Sequence, residues 1–580
     1  MPRPSCLVPG FHHAVASAIF VCLMAGCAAP SQNRSGHSAS LGARLAWTSY
    51  EAEDAPTNAA VFGPGRKPLT PEAEASGRRY VRLSAPGDFV DVRAKSSANS
   101  IVVRACIPDS SSGGGIKMKL SLYLNGSYFG PLLLDSHFAW IYGDFPWSND
   151  PAKGHPHRFF DESHSTLPQI KAGDVIRLQK DSPGDSGDVL LDLIELEQIA
   201  APLARPPDSL CLTDFGAVPD DGRDDAGALR RGLLAAQSTG KPLWIPRGVF
   251  QLDGPRIPAG SVRIQGAGPW HTTLTGPAAK FEGTGEKLEV SDLAIFGDTA
   301  HRDDTSPDNA FNGNFGSGSV FRNLWIEHVK CGFWTTHGTT GMRVIGCRIR
   351  NTMADGLNFC DGTSRSLVEQ CHLRNTGDDA LATWSPTGDW SSKKPCEGNQ
   401  FLRNTIETPW LANGIALYGG TDHVIAGNRL VGTVQSGGGI LVSSGFDAVP
   451  FAGTIRVENN LIRDAGGECY IGETVGGLWI YAKDSDITVP VIVSGLRVEG
   501  GPQAGLTVHG PKAILRLELS GVRVNGAGGP GIEIKMAANG AAHLAELQAI
   551  KCAGEPLRDA SGGRFKVSAK SAESRETKHR

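Results

Sequence analysis

Six stretches decide the architecture: FRNLWI (321–326), VIGCRI (344–349), VEQCHL (368–373), FLRNTI (401–406), IAGNRL (425–430) and VENNLI (457–462). Each opens on a bulky apolar residue and ends on an aliphatic. The fourth residues, Leu324, Cys347, Cys371, Asn404, Asn428 and Asn460, follow one another at 23, 24, 33, 24 and 32 positions. Positions two apart on a strand share a face, so the fourth residue and the final aliphatic point the same way. A repeat of this length, lengthened by loops, predicts a right-handed parallel β-helix in which each coil pairs with the next. Cys347 then stacks on Cys371, and Asn404 on Asn428, as interior ladders. The thiols are thereby read as core, not as metal ligands.

Fainter copies at Val290, Val493 and Leu519 extend the solenoid over residues 211–562. Few hairpin signals separate the copies, so an antiparallel sheet fits poorly. A helical stretch, Asp225–Gln237, carries Leu229, Leu233 and Leu234 with Asp224 as N-cap, and is expected to close the first coil. Upstream, residues 46–199 alternate short apolar runs with turns, as at Lys117–Leu124 and Val189–Leu196, which predicts an antiparallel β-sandwich of the jelly-roll kind. Residues 200–210 form a Pro-rich linker, and 563–580 are expected to be a disordered tail. The whole is an all-β protein, in keeping with 73 glycines that follow no period of three.

Residues 1–27 read as an export leader: Arg3, an apolar run too short to span a bilayer, then Leu23-Met24-Ala25-Gly26-Cys27. That ending resembles a bacterial lipoprotein box, which implies lipidation at Cys27, a tether over 28–45 and a secreted or cell-envelope location. A lipid anchor is then the only contact with a membrane. Nine cysteines remain, an odd number, so at least one stays unpaired. A net charge of −4 without a basic stripe argues against a nucleic-acid partner, and a monomer is expected.

Two consecutive coils carry the acids, in NTMADGLNF (351–359) and NTGDDALATWS (375–385). Asp355 follows Cys347 by eight residues, and Asp379 follows Cys371 by eight. Equal offsets put them one rung apart, about 4.8 Å, with Asp378 beside them. Stacked acids repel and raise a pKa. A glycosidase needs that arrangement, one carboxyl protonating the leaving oxygen while another activates water. Trp384, Trp410, Tyr418 and Asn413 fall on the same side and are candidate sugar contacts, as are Trp334 and His337. In the sandwich, Trp140, Tyr142 and Trp147 are candidates for stacking on a sugar.

These paired segments, with Trp325-Ile326-Glu327-His328 and Cys331-Gly332-Phe333-Trp334, resemble the mycodextranase and α-1,3-glucanase family, glycoside hydrolase family 87. The resemblance implies catalysis by Asp355, Asp378 and Asp379, metal-independent chemistry, and hydrolysis of α-1,3 bonds of a glucan with inversion. Asp355 is read as the proton donor. Tyr50-Glu51-Ala52-Glu53 and the strand of Asp192 resemble a family-35-type carbohydrate-binding module. That implies first and last strands side by side and a structural calcium held by Glu51, Glu53 and Asp192. Two alternatives stay open: a polysaccharide lyase, with Arg374 as the nearby base, and a non-catalytic glycan-binding surface protein.

Overall fold

The computed structural model describes residues 41–145, 147–181 and 187–569. Cys27, the leader and the tether up to residue 40 lie outside them. The expected fold is present: an antiparallel β-sandwich followed by a right-handed parallel β-helix.

In the sandwich, a six-stranded sheet faces a four-stranded one. The first strand, Trp47–Glu51, runs antiparallel to the last, Val189–Glu197, with Tyr50 opposite Ile194. Lys117–Leu124 alternates buried and exposed, as a strand with one solvated face should. The strand Ala98–Cys106 does not, being buried almost throughout. Its second face lies against the β-helix, where Val102 packs on Ala294 and Trp325.

That seam is charged. Arg350 Nη1 donates to Glu162 Oε2 (2.6 Å) and Glu195 Oε2 (2.9 Å), while Arg374 donates to Glu162 Oε1 (2.8 Å) and Glu195 Oε1 (2.7 Å). Trp47 covers Arg350, its ring centre 4.8 Å from the guanidinium. Burial alone would raise the Glu162 carboxyl, but the two guanidiniums outweigh it and hold it well below the usual range. Each of the four ions faces two of opposite charge, which is the condition for tolerating them out of water.

The β-helix alternates strands of a 22-stranded and a 12-stranded sheet, all parallel. Ile349, Leu373, Ile406, Leu430 and Ile462 form one inward ladder. Asn404 Nδ2 donates to Asn428 Oδ1 (3.1 Å) and Asn428 Nδ2 to Asn460 Oδ1 (3.0 Å). Above them Cys371 N donates to Asn404 Oδ1 (2.9 Å) and Cys347 N to Cys371 Sγ (3.4 Å), so the thiols complete the amide stack. All nine cysteines of the described residues are free, eight of them buried.

The helix Ala226–Thr239 closes the first coil with Leu229 and Leu233 buried; Asp225, not Asp224, stands at its N-cap position, while Asp224 Oδ1 accepts from Ala226 N (2.8 Å). Leu234, expected on the same face, points outward at 65% exposure; a helical step of 100° from Leu233 carries it off the stripe. The expected tail begins too early, because Phe565–Ala569 adds a strand beside Asn539–Ile550. Likewise the last residues of the expected tether are bound to the solenoid: Gly42 N donates to Gly427 O (2.9 Å) and Ala43 N to Thr405 Oγ1 (2.9 Å).

Replacing Arg374 by Met strips a cation from Glu162, Glu195 and Glu407 together. A loss of about 3–5 kcal/mol is expected, measured as a lowered denaturant midpoint of the whole chain. An unmoved midpoint would mean that the seam ions do not hold the two domains together.

Candidate active site

The two acid-bearing turns have the same construction. Each leaves a strand of the 22-stranded sheet through an asparagine in the left-handed region, Asn351 (φ 52°) and Asn375 (φ 56°). Asparagine tolerates that conformation better than most residues. Asn375 Nδ2 donates to Asn351 Oδ1 (2.9 Å), locking one turn on the other. A threonine follows, its hydroxyl donating to a carbonyl two residues on: Thr352 to Ala354 O (2.8 Å) and Thr376 to Asp378 O (3.1 Å). Both chains then join the 12-stranded sheet, with Leu357 paired to Leu381. Asp355 and Asp379 therefore occupy equivalent positions, and Asp378 stands where Ala354 stood one coil earlier. Gly356 is required between them, since a Cβ there would lie 2.4 Å from Ala380 O.

The three carboxylates converge, each offering an oxygen within 4.8 Å of the others. Asp355 and Asp379 form the buried floor, and Asp378 stands above them with 27% of its side chain exposed. Asp379 accepts from Asn413 N (3.0 Å), Asn413 Nδ2 (2.8 Å) and the Tyr418 hydroxyl (2.8 Å). Asp355 accepts from Asn358 Nδ2 (2.8 Å). Asp378 Oδ2 accepts from Arg302 Nη1 (2.6 Å), and its Oδ1 from Asp379 N (3.0 Å). Burial first, then Asp378 and Asp379, raises the Asp355 carboxyl well above its ordinary range. Burial and the Asp378 charge push Asp379 up to about 7, against the hydrogen bonds it accepts.

The acids open into a cleft of about 710 Å³ whose apolar walls are Trp334, Trp384, Trp390, Tyr418 and Phe446. Trp334 and Trp384 meet edge to face, their centres 6.3 Å apart. Of the expected sugar contacts, Trp334, Trp384 and Tyr418 thus line the cleft. Trp410 does not: it is completely buried, packed on Trp147 of the sandwich at 5.6 Å. His337 is also off the cleft, its Nε2 3.2 Å from Lys394 Nζ. Asn413 is buried and spent on Asp379. In the sandwich, Trp140 Nε1 donates to Ile107 O (2.9 Å) and the Tyr142 hydroxyl to Asp109 Oδ2 (2.7 Å), so with Trp147 these rings belong to packing.

Arg302, Lys330, Asn358, Trp390 and Phe446 line the cleft without having been singled out in the sequence. Asn358 was within reach, because it lies three residues after Asp355 and points outward by strand alternation. Arg374, the base that a lyase would need, is buried in the seam.

Asp161, Glu327 and His328 form a second close group at the seam, but His328 Nε2 already bonds Asp161 Oδ1 (3.0 Å) and Trp325 Nε1 donates to Glu327. The expected calcium ligands divide. Asp192 is spent, one oxygen on Arg104 and the other accepting from Ser76 N (2.8 Å). Glu51 and Glu53 each keep a buried oxygen without a partner. Burial and neighbouring acids push Glu51 up to about 8 and Glu53 up to about 7. Those two fit a cation. Asp192, facing a guanidinium, does not.

Comparison with known proteins gives the arrangement its family. The family description "Alpha-1,3-glucanase catalytic domain D1" matches residues 44–199, and "Alpha-1,3-glucanase catalytic domain D2" matches 229–540. The sandwich is thus matched as part of a catalytic unit. No curated protein matches the chain. Among solved structures, the Agl-KA catalytic domain is 28% identical over 91% of this chain and 98% of its own, with a TM-score of 0.84. The catalytic unit of a thermostable family 87 α-1,3-glucanase from Streptomyces thermodiastaticus strain HF3-3 is 30% identical over 91% and 96%, with a TM-score of 0.80. A family 87 α-1,3-glucanase catalytic domain in complex with nigerose, 24% identical over 91% and 98% with a TM-score of 0.75, shares the fold. Repeated coils, an aspartate trio in an open cleft and matches across both domains converge: the chain belongs to the α-1,3-glucanases of glycoside hydrolase family 87 and is a glycoside hydrolase of α-1,3-glucan.

Proposed function

We propose that the cleft hydrolyses a neutral α-1,3-glucan chain with inversion, using Asp355, Asp378 and Asp379 as its acid and base. The observation that carries hydrolysis at this site is the convergence of three carboxylate oxygens within 4.8 Å at the floor of an open, aromatic-walled cleft. Inversion is taken from the family resemblance and requires the working acid and base carboxyls to stand about 6.5–9.5 Å apart when sugar and water are bound. Two hydrogen bonds of about 2.7 Å from one water span about 4.4 Å between acceptors. Two of the acids can therefore hold the attacking water while the third carries the proton. Asp355, the acid most strongly raised by burial and by its neighbours, holds that proton in the free enzyme. Asp378, bonded by Arg302, and Asp379, bonded by Asn413 and Tyr418, are its partners in holding the water.

A neutral substrate accords with the state of the cations in the cleft. Arg302 is held by Asp378 and Asp304, and Lys330 donates to the carbonyls of Ser306 and Asp304. The Arg302 guanidinium is thus committed to carboxylates of the protein itself and is not free to bind a uronate. Aromatic walls suit the apolar face of glucose rings, and related folds 23–24% identical are described with nigerose and with tetrasaccharides.

Proton NMR of the first-formed product tests the stereochemistry: β-anomer first supports inversion, α-anomer first removes it. Asp355→Asn, Asp378→Asn and Asp379→Asn are each expected to lower kcat by about a thousandfold or more. With an activated leaving group, Asp355→Asn is expected to recover. Recovery at Asp378 instead would move the proton donor to the mouth of the cleft.

Tyr418→Phe removes a donor from Asp379, so the acidic limb of the rate profile is expected to rise by about half a pH unit. A fall in rate with an unmoved limb would mean that Tyr418 acts on the sugar, not on the acid.

We also propose a cation at Glu51 and Glu53. Without it, their neutral forms stabilise the sandwich fully below about pH 4.5, and that contribution is lost as pH rises through about 7 to 8. Calcium is expected to raise the melting temperature at pH 8, and a chelator to lower it. The same response in Glu51→Gln, Glu53→Gln would exclude the site.

A further inference from the structure

Between the strands Leu288–Phe296 and Phe311–Asn314 the chain makes a long excursion, and Arg302 projects from it onto the catalytic acids. Its guanidinium is spent in three directions. Nη1 donates to Asp378 Oδ2 (2.6 Å), and Nε and Nη2 donate to Asp304 Oδ1 and Oδ2 (2.7 and 3.2 Å). Its remaining surface meets the rings of Phe145 and Trp147, each centre 5.7 Å away. Both rings belong to the sandwich, on the segment between Ile141–Tyr142 and Pro156–His157. Only 13% of the Arg302 side chain is exposed.

The sandwich segment is itself anchored to the β-helix. Trp147 packs with Met353 and Trp410, and Asn149 Nδ2 donates to Ala300 O (2.9 Å), two residues before Arg302. One domain thus fixes a cation that bonds an acid of the other. Such a contact is not a feature of packing alone. A buried guanidinium beside two aromatic faces keeps its charge through cation–π attraction and carboxylate bonds, and here burial, which would strip the proton, is outweighed by Asp378 and Asp304.

We propose that Arg302, set in place by Phe145, Trp147 and Asn149 of the sandwich, is the positioning residue that orients the Asp378 carboxylate and supplies the counter-charge to the three clustered acids. The sandwich then completes the reaction centre from outside the solenoid. This rests on the reading of the cleft given above. The charged and titratable groups facing Asp378 are Arg302, Asp304 and Lys330 from the loop side, with Asp355, Asp379 and the Tyr418 hydroxyl from the coils. The sandwich presents the uncharged rings of Phe145 and Trp147 to the Arg302 guanidinium. Removing the guanidinium takes away the cation bonded to Asp378, which disfavours the charged form of that carboxyl beside two other acids.

The test compares Arg302→Gln, Arg302→Lys and Phe145→Ala with the unaltered full chain, using an α-1,3-linked gluco-oligosaccharide. Arg302→Gln is expected to lower kcat by about a hundredfold, leave KM within about twofold, and move the acidic limb up by about one pH unit. Arg302→Lys keeps the charge and should hold the limb while losing about tenfold in kcat, because an ammonium lacks the planar fork. Phe145→Ala should move the limb in the same direction by less. In an Asp378→Asn background, Arg302→Gln should add nothing further.

A second readout needs no turnover: the carboxyl titrations of 13C-aspartate-labelled protein, with Asp378→Asn identifying the resonance. An Asp378 signal that titrates alike with and without Arg302 would overturn the proposal. So would a large rise in KM with an unmoved limb, which would make Arg302 a sugar ligand. Failure of the unaltered chain to cleave the oligosaccharide would instead count against the substrate reading, and the carboxyl titration would still decide on Arg302.

Discussion

Everything in this molecule depends on the hydrogen bonding of one coil to the next. Parallel strands fix a rung spacing of about 4.8 Å, and the ladders of Ile349, Leu373 and Ile406 keep successive coils in the same register. A rung slipped by one residue would turn every inward side chain outward. The register is pinned inside by the Cys–Asn stack, whose side chains bond backbone N–H groups of the neighbouring coil. Turns of equal construction then inherit that spacing, and two of them carry the acids. The convergence of the three acids is a by-product of stacking.

The same stacking creates an electrostatic problem. Two carboxylates 4.8 Å apart repel by about 3.5 kcal/mol at an effective dielectric constant of 20. The structure meets this in three ways. Asp379 accepts three hydrogen bonds, Asp378 faces a guanidinium, and Asp355 is left with one donor and the highest proton affinity. Unequal surroundings drive the three acids apart in protonation, which is what a reaction needing both an acid and a base requires. The arrangement is asymmetric because the coils are not identical: Ala354 has become Asp378, and Asn413 takes the place of a third stacked aspartate.

What the sequence made legible follows the same division. The solenoid could be read because ladder positions repeat at fixed offsets, and the offset of eight from Cys347 and Cys371 carried the acids with them. Side chains on the sheet itself were equally predictable, as Trp334, Trp384 and Tyr418 line the cleft. Trp410 failed because it sits on a turn against the sandwich, and periodicity within the solenoid says nothing of a second domain lying on it. His337 failed for a related reason, being beyond the end of its strand. Arg302, Trp390 and Phe446 come from loops between strands, where no repeat fixes direction. The seam was hidden as well: Glu162, Glu195, Arg350 and Arg374 look like ordinary charged strand residues until two sheets bury them together.

The two domains differ in what they ask of charge. At the seam, two arginines and two glutamates neutralise one another out of water, and such a cluster holds a fixed mutual orientation because any shift would leave a buried ion unpaired. At the cleft, one guanidinium is bonded to the three acids, and burial together with their mutual repulsion favours a proton on Asp355. Rigidity at the first place makes the imbalance at the second usable. An acid cluster on a yielding support would relax by splaying apart, lowering the raised proton affinities on which acid catalysis relies. The sandwich, clamped through Glu162 and Glu195 and reaching over with Phe145 and Trp147, denies the cluster that relaxation.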